Sequence, residues 1–235
     1  MALLAQQAEH TCGGVKSGIM DQMIAVLARH GTALLIDCRS LQTTYIPLDY
    51  SRAAIAICDS HVKHELASSE YNRRRAECEL GVKLLAKVLP DIRALRDVTP
   101  DDFQRFEDVL PEPIRKRCRH VITENGRTLT AAEALRCGRP EKCGRLMMLS
   151  HASLRDDYQV SSIEQDLLVE VAASIEGVFG ARMTGGGFDG CTVNMLRPDV
   201  LCTFRDVILG EFRTAFKHDA GFYPAVASDG ASEIT

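Results

Sequence analysis

No stretch of the 235-residue chain holds the roughly 18 consecutive apolar residues that a membrane-spanning helix needs, so such a span is excluded. The opening Met1-Ala-Leu-Leu-Ala5 is apolar, but it is too short for a signal peptide and has no basic stretch before it. Nine cysteines are present, yet no two form a C-x-x-C pair: Cys12, Cys38, Cys58, Cys78, Cys118, Cys137, Cys143, Cys191 and Cys202 are scattered. The odd count argues against a disulfide framework, and the scatter argues against a zinc site. Several sit within apolar stretches, as Cys58 does, so free thiols in a reducing cytoplasm are expected. No G-x-x-x-x-G-K-[ST] pattern occurs, which removes the P-loop class. Tryptophan is absent, which excludes nothing. Internal repeats and low-complexity tracts are absent too.

What is present is the composition of an ordinary globular protein, 46% hydrophobic and 26% charged, long enough to bury a core. A formal net charge of -4 gives no electrostatic reason to expect nucleic acid as a partner. Basic residues cluster at Arg73-Arg74-Arg75 and at Arg115-Lys116-Arg117, both in helix-like stretches, and both read as solvated faces.

Residues 3–10 read as the end of a helix that starts without an N-cap residue: either a frayed terminal helix or one that begins upstream. Gly13-Gly14 makes a turn. Gly18 then precedes a helix with Met20, Met23, Ile24 and Leu27 on one face, which Gly31 is expected to end. Residues 33–36, 44–46 and 53–57 read as three short strands, expected as a meander. From Ser68 onward the pattern is helical: 68–88, 101–110, 114–123, 130–137 and 142–154. A further helix is opened by a capping box at Ser161-Ser162-Ile163-Glu164. Strands are expected at 178–183, 191–196 and 222–226, with a helix over 200–216. A helical block followed by strand–loop–strand–helix–strand predicts an α+β layer, helices packed on a small mixed or antiparallel sheet.

Gly185-Gly186-Gly187-Phe188-Asp189-Gly190 formally matches G-x-G-x-x-G. In a dinucleotide-binding fold this pattern opens a helix, whereas Cys191-Thr192-Val193-Asn194-Met195 alternates like a strand. A plain tight turn is the competing reading. The dinucleotide reading falls if the loop leads into a strand.

The stretch from Arg182 through the glycines to Thr192 resembles the third motif of the galactokinases, members of the GHMP small-molecule kinase superfamily. Gly18-Ile19-Met20-Asp21-Gln22, Leu35-Ile36-Asp37-Cys38-Arg39-Ser40-Leu41 and residues 63–75, with Leu66-Ala-Ser-Ser-Glu-Tyr71-Asn-Arg-Arg74, are similar to galactokinases in particular. So are residues 119–125, Ser150-His151 through Tyr158, and Ser228-Asp-Gly-Ala231. These matches are collinear and cover essentially the whole chain. The resemblance implies a GHMP-type two-domain architecture, with residues 1–60 in a partial N-terminal domain and 61–235 in a C-terminal domain.

It further implies ATP-dependent phosphorylation of galactose at its anomeric hydroxyl, giving galactose 1-phosphate. ATP with Mg²⁺ would be co-substrate, and the chain would be a cytoplasmic monomer without nucleic-acid or membrane partners. By resemblance Asp21 is the candidate catalytic base facing the sugar. Gly18 and Tyr71 join it as substrate-binding residues, and Gly185, Gly186, Gly187, Asp189 and Gly190 form the nucleotide-side loop. No metal ligand is assigned.

From the residues alone, alternatives stay open. Asp21 falls in a first helical turn, where the macrodipole favours any carboxylate. Tyr71 fits an amphipathic position at a helix start. Asp37 and Arg39 read as a local pair at a strand end, and His151 and Asp156 as a helix-end polar cluster.

Three departures from the family pattern stand out. Ser17 replaces the usual Cys. Asp189 replaces a loop Gly, which predicts weaker nucleotide binding because its charge faces a triphosphate site. The upstream sugar signature and the Gly-Leu-Ser-Ser-Ser type phosphate loop are absent, and most ATP and Mg²⁺ ligands go with them. The strands over 33–57 would then lose sheet partners. The alternative expectation is a non-catalytic galactose-binding sensor or an inactive incomplete gene product.

Overall fold

The computed structural model describes residues 1–13, 16–62, 67–188 and 190–232, the side chains of residues 67 and 68 excepted. Gly14 of the predicted turn, residues 63–66 of the 63–75 match and Asp189 lie outside them. The described residues form helices α1 (Ala2–Ala8), α2 (Met20–Leu27), α3 (Ala67–Leu85), α4 (Pro100–Phe106), α5 (Ile114–Arg136), α6 (Pro140–Ser153), α7 (Ile163–Ser174) and α8 (Leu201–Phe216). The strands are β1 (Thr32–Ile36), β2 (Thr43–Pro47), β3 (Ala54–Asp59), β4 (Val178–Met183), β5 (Cys191–Leu196) and β6 (Gly221–Ala225). The fold is α+β, as expected, with every strand pair antiparallel.

The predicted three-strand meander is corrected. β1 and β2 form a two-stranded hairpin, while β3 leaves it and lies between β5 and β6 in a four-stranded sheet of order β4-β5-β3-β6. The run Ala54-Ile55-Ala56-Ile57-Cys58 is apolar at both alternating sets of positions, which suits a strand covered on both faces. The expected loss of partners is therefore corrected for β3, both of whose edges are paired; among the described residues β1 and β2 pair only with each other. On one face Ala56, Cys58 and Leu196 pack with Leu168 of α7 and with Phe204, Ile208 and Phe212 of α8. On the other face Ile55, Met195 and Phe179 meet Ala134 of α5 and Cys143 of α6. A third cluster ties the helical block together through Leu85, Leu95, Phe103, Leu110, Ile114 and Cys118.

Helix α6 crosses β4 at close range, backbone against backbone. A Cβ added at Gly144 or at Gly180 would overlap the opposite backbone, so two glycines meet where any side chain would force the layers apart. Other boundaries shift for local reasons. The helices expected at 114–123 and 130–137 are one helix, α5, because an interior Gly126 costs a helix only about 1 kcal/mol. Helix α2 ends at Leu27, where Ala28 turns extended; Gly31, at φ 69°, belongs to the turn into β1. The capping box is reciprocal between Ser162 and Gln165, one residue later than expected.

All nine cysteines are free, and burial pushes the thiols of Cys58 and Cys118 up to about 12 and that of Cys143 to about 11. Among the described residues no helix is long and apolar enough to cross a membrane.

Candidate functional site

The glycine loop joins β4 to β5, with Met183 paired to Thr192 across it. It leads into a strand, so the dinucleotide reading falls. Three anchors hold its shape. Thr184 N–H donates to the Cys191 carbonyl at 3.0 Å. The Ser60 hydroxyl donates to the Gly190 carbonyl at 3.0 Å. Phe188 N–H donates to the Val160 carbonyl at 2.6 Å.

Gly185, Gly187, Phe188 and Gly190 all have positive φ, at 79°, 86°, 68° and 93°. At Gly187 the requirement for glycine is double, since a Cβ there would also run into the Val160 carbonyl. Phe188 is the one non-glycine among these loop residues held in this region, a conformation that persists only where its surroundings enforce it. Mixed-handed backbone of this kind turns N–H groups towards a common concave side, which suits an anion. A Cβ at Gly185 or Gly190 would meet nothing within 4 Å, so there is room for one beside the loop.

Tyr71 lies in the first turns of α3, half-buried, and its ring faces the loop: a Cβ on Gly186 would sit 3.2 Å from Tyr71 Cδ2. The segment leading to Asp21 is tied to the same part of α3. Lys16 N–H donates to Asn72 Oδ1 at 3.2 Å, and Arg75 Nη1 donates to the Lys16 carbonyl at 2.9 Å. The Ser17 carbonyl accepts from His10 Nε2 at 2.8 Å and from Gln6 Nε2 at 3.2 Å. The tail returns to hold the far end of α2, with Gly230 N–H on the Ala28 carbonyl at 2.9 Å and Ala231 N–H on Ala25 at 2.8 Å. These bonds satisfy carbonyls that a helix end leaves open.

Asp21 is exposed in the first turn of α2 and makes no ion pair among the described residues; Ile19 occupies the cap position, with no side-chain cap. On either side of Asp21, Ser17 Oγ and Gln22 Oε1 are buried without a hydrogen-bond partner among the described residues. Buried polar atoms are normally paired, so each of these calls for a ligand or water. At Gly18 a Cβ would meet nothing within 4 Å, so no steric demand of the fold accounts for the glycine. The structure thus brings Lys16, five residues ahead of Asp21, and the glycine loop onto the same first turns of α3 that carry Tyr71.

His151 is buried below the loop. Its Nδ1 accepts Met183 N–H at 3.2 Å, and its Nε2 lies 3.2 Å from Asp166 Oδ1. Asp156 is exposed and pairs with Arg155. The local Asp37–Arg39 pair is made by the Arg39 backbone, whose N–H donates to Asp37 Oδ1 at 2.9 Å, while the two side chains bond elsewhere. Asp37 takes both guanidinium nitrogens of Arg96, at 2.7 and 3.0 Å, and Arg39 reaches Asp97 at 2.7 Å. Asp37 also accepts the Ser40 backbone N–H at 2.9 Å. Val160 was not singled out by sequence, and the reading of both basic clusters as solvated faces is corrected at Arg74 and Arg117, which are buried. Among the described residues no group of three His, Cys, Asp or Glu side chains could hold a metal.

No family model matches the chain. A galactokinase of Roseiflexus sp. (strain RS-1) is 49% identical over 234 residues, covering 100% of this chain and 60% of that protein. A galactokinase of Homo sapiens is 44% identical over 233 residues, covering 99% of this chain and 57% of that one. The crystal structure of Lactococcus lactis galactokinase complexed with galactose superposes with a TM-score of 0.94 at 34% identity, covering 99% of this chain and 60% of that one. The homoserine kinase of Cytophaga hutchinsonii ATCC 33406, 13% identical at a TM-score of 0.52, shares the fold alone. The chain is thus a homologue of galactokinases, similar to them over its entire length in sequence and in fold, and it spans about 60% of their length.

Proposed function

We propose galactokinase-type phosphoryl transfer from ATP to the anomeric hydroxyl of galactose, with this chain supplying Asp21, Gly18, Tyr71 and the glycine loop. The observation that carries the reading is the meeting of Tyr71 with Gly186, on the same turns of α3 that hold the Asp21 segment. Tyr71 would hydrogen-bond the sugar. The unpartnered Ser17 Oγ and Gln22 Oε1 fit a hydroxyl-rich ligand. In the transfer, the sugar oxygen bonds the γ-phosphorus as the bond to the bridging oxygen breaks, ADP leaves, and Asp21 takes the hydroxyl proton. Because the transition state is largely dissociative, orienting that hydroxyl matters more than basicity. Open space beside the loop at Gly185 and Gly190 suits phosphate oxygens. The described residues offer no cluster of three His, Cys, Asp or Glu side chains for Mg²⁺.

We also infer residues 1–60 and 61–235 as two units, with β3 of the first completing the sheet of the second. A cytoplasmic monomer is part of the same reading. Asp189, which stands where the related loops carry glycine, favours a second reading: galactose binding without transfer.

Phosphate transfer to galactose, followed with radiolabelled ATP, separates the two. Transfer that Asp21→Ala lowers about 100-fold or more supports the first reading. A thermal shift with galactose but neither shift nor transfer with ATP supports the second. No shift with saturating galactose sinks both.

A further inference from the structure

We propose that Arg74 and Arg117 are positioning residues that hold the glycine loop in register with the sugar-side residues Tyr71 and Asp21. This rests on the reading of that site as a sugar-and-nucleotide site. Both arginines are almost fully buried, at 7% and 2% exposure. They come from α3 and α5 and converge on one short segment, the end of the π-helical turn Leu154–Tyr158 that continues α6.

Three consecutive carbonyls there are captured by guanidinium groups. Arg117 Nη1 donates to Asp157 O at 2.5 Å, Arg74 Nε to Tyr158 O at 2.8 Å and Arg74 Nη2 to Gln159 O at 3.0 Å. Arg117 Nη2 also donates to Gln159 Oε1 at 2.8 Å. A helix end leaves its last carbonyls open and carries the negative end of the dipole, so cations are favoured there. Glu77 supplies the remaining charge, 2.8 Å from Arg117 Nε and 3.4 Å from Arg74 Nη1, with Glu70 at 3.5 Å from Arg74. Buried ions need this degree of pairing to persist.

What these arginines hold is the loop's anchor. Gln159 sits at φ 56°, which turns the chain so that the next carbonyl, Val160, receives Phe188 N–H from the loop. The Arg74 guanidinium also lies 5.6 Å from the centre of the Phe188 ring. Three residues before Arg74 on the same helical face, Tyr71 meets Gly186. Between and beside them, Asn72 and Arg75 hold Lys16 ahead of Asp21. One and a half turns of α3 therefore grip both sides of the site. The strained φ of Phe188 is the conformation this grip maintains.

The test is hydrogen exchange by mass spectrometry on the full 235-residue chain, its Arg74→Lys variant and its Gln159→Asn variant, alongside calorimetric titration with galactose. Lysine keeps the charge but cannot span two carbonyls, and asparagine tolerates positive φ while falling short of Arg117. In Arg74→Lys we expect loop amides around Phe188 to exchange about tenfold faster, with α8 and β5 unchanged. A smaller effect confined to the same amides is expected in Gln159→Asn, which keeps the test decisive if Arg74→Lys fails to fold. Galactose binding should weaken together with the loop's protection. Unchanged loop exchange in both variants overturns the proposal, as does equal acceleration in every element, which would mark a purely structural role. If the unmodified chain binds no galactose, the functional reading fails, while the exchange data still decide whether the arginines hold the loop.

Discussion

Two regions of this molecule are built on arginine–carboxylate pairs, and they differ in what those pairs can do. Where the β1–β2 hairpin meets the turn before α4, Asp37 pairs with Arg96 and Arg39 with Asp97, all at the surface. Hydrogen bonds from Arg96 and from the Ser40 and Arg39 amides hold the Asp37 carboxyl well below the usual range. Those from Arg39, Arg93 and Ala94 do the same for Asp97. Water and salt nevertheless screen both pairs. Between α3 and α5, Arg74, Arg117 and Glu77 form a buried group whose other partners include three backbone carbonyls. There the same chemistry fixes geometry, because an unpaired member has no solvent to turn to. The hairpin pairs tether two parts of the surface, and the buried group shapes the candidate site.

The largest expected effect breaks this comparison or confirms it. Arg117→Met takes from Glu77 its shortest ion pair and leaves two oxygens of the 157–159 segment without their donor, and should cost about 3–5 kcal/mol in denaturant unfolding. Arg39→Ala should leave the midpoint almost unmoved, with the small shift shrinking further at high salt. Comparable losses in the two variants would show that burial is not what distinguishes the regions.

A second effect sharpens the comparison through pH. His120 stacks on Tyr158 at 4.5 Å between ring centres and meets Ser153 Oγ at 2.9 Å. Burial lowers its pKa to about 4 from an ordinary 6.5. The unfolded chain therefore takes up a proton before the folded one does. The stability His120 contributes is complete above pH 6.5 and is lost as pH falls towards 4. That loss is on the order of 3 kcal/mol. His120→Gln should flatten this part of the pH profile of unfolding. The hairpin carboxylates, with lowered pKa values, stay ionised throughout the same window.

Much of the fold was legible because it rests on local pattern. The β4–loop–β5 unit, α7 and α8 follow from alternation, helical spacing and a capping signal. The placement of β3 was not, because local alternation cannot say which distant strands will flank a strand covered on both faces. Part of the site was legible for a different reason: Asp21, Tyr71 and the glycines were singled out by resemblance. What ties the segment ahead of Asp21 and the loop to one helix is Lys16 bonding to α3 and the loop reaching back to Tyr71. The buried arginines were misread as solvated because both lie within basic triplets. A signal was nonetheless present. Arg74 shares its helical face with Cys78, Val82 and Leu85, and Arg117 sits between Ile114 and Val121, next to Cys118. A lone cation on an apolar stripe points inward even when its sequence neighbours are charged.

The most direct test of the account is calorimetric titration of galactose into the 235-residue chain and into its Tyr71→Ala variant. The account predicts one galactose per chain, with affinity about tenfold or more weaker in the variant, since a lost hydrogen bond and ring contact are worth at least about 1.4 kcal/mol together. Equal affinity in the two proteins, or no binding in either, would contradict it.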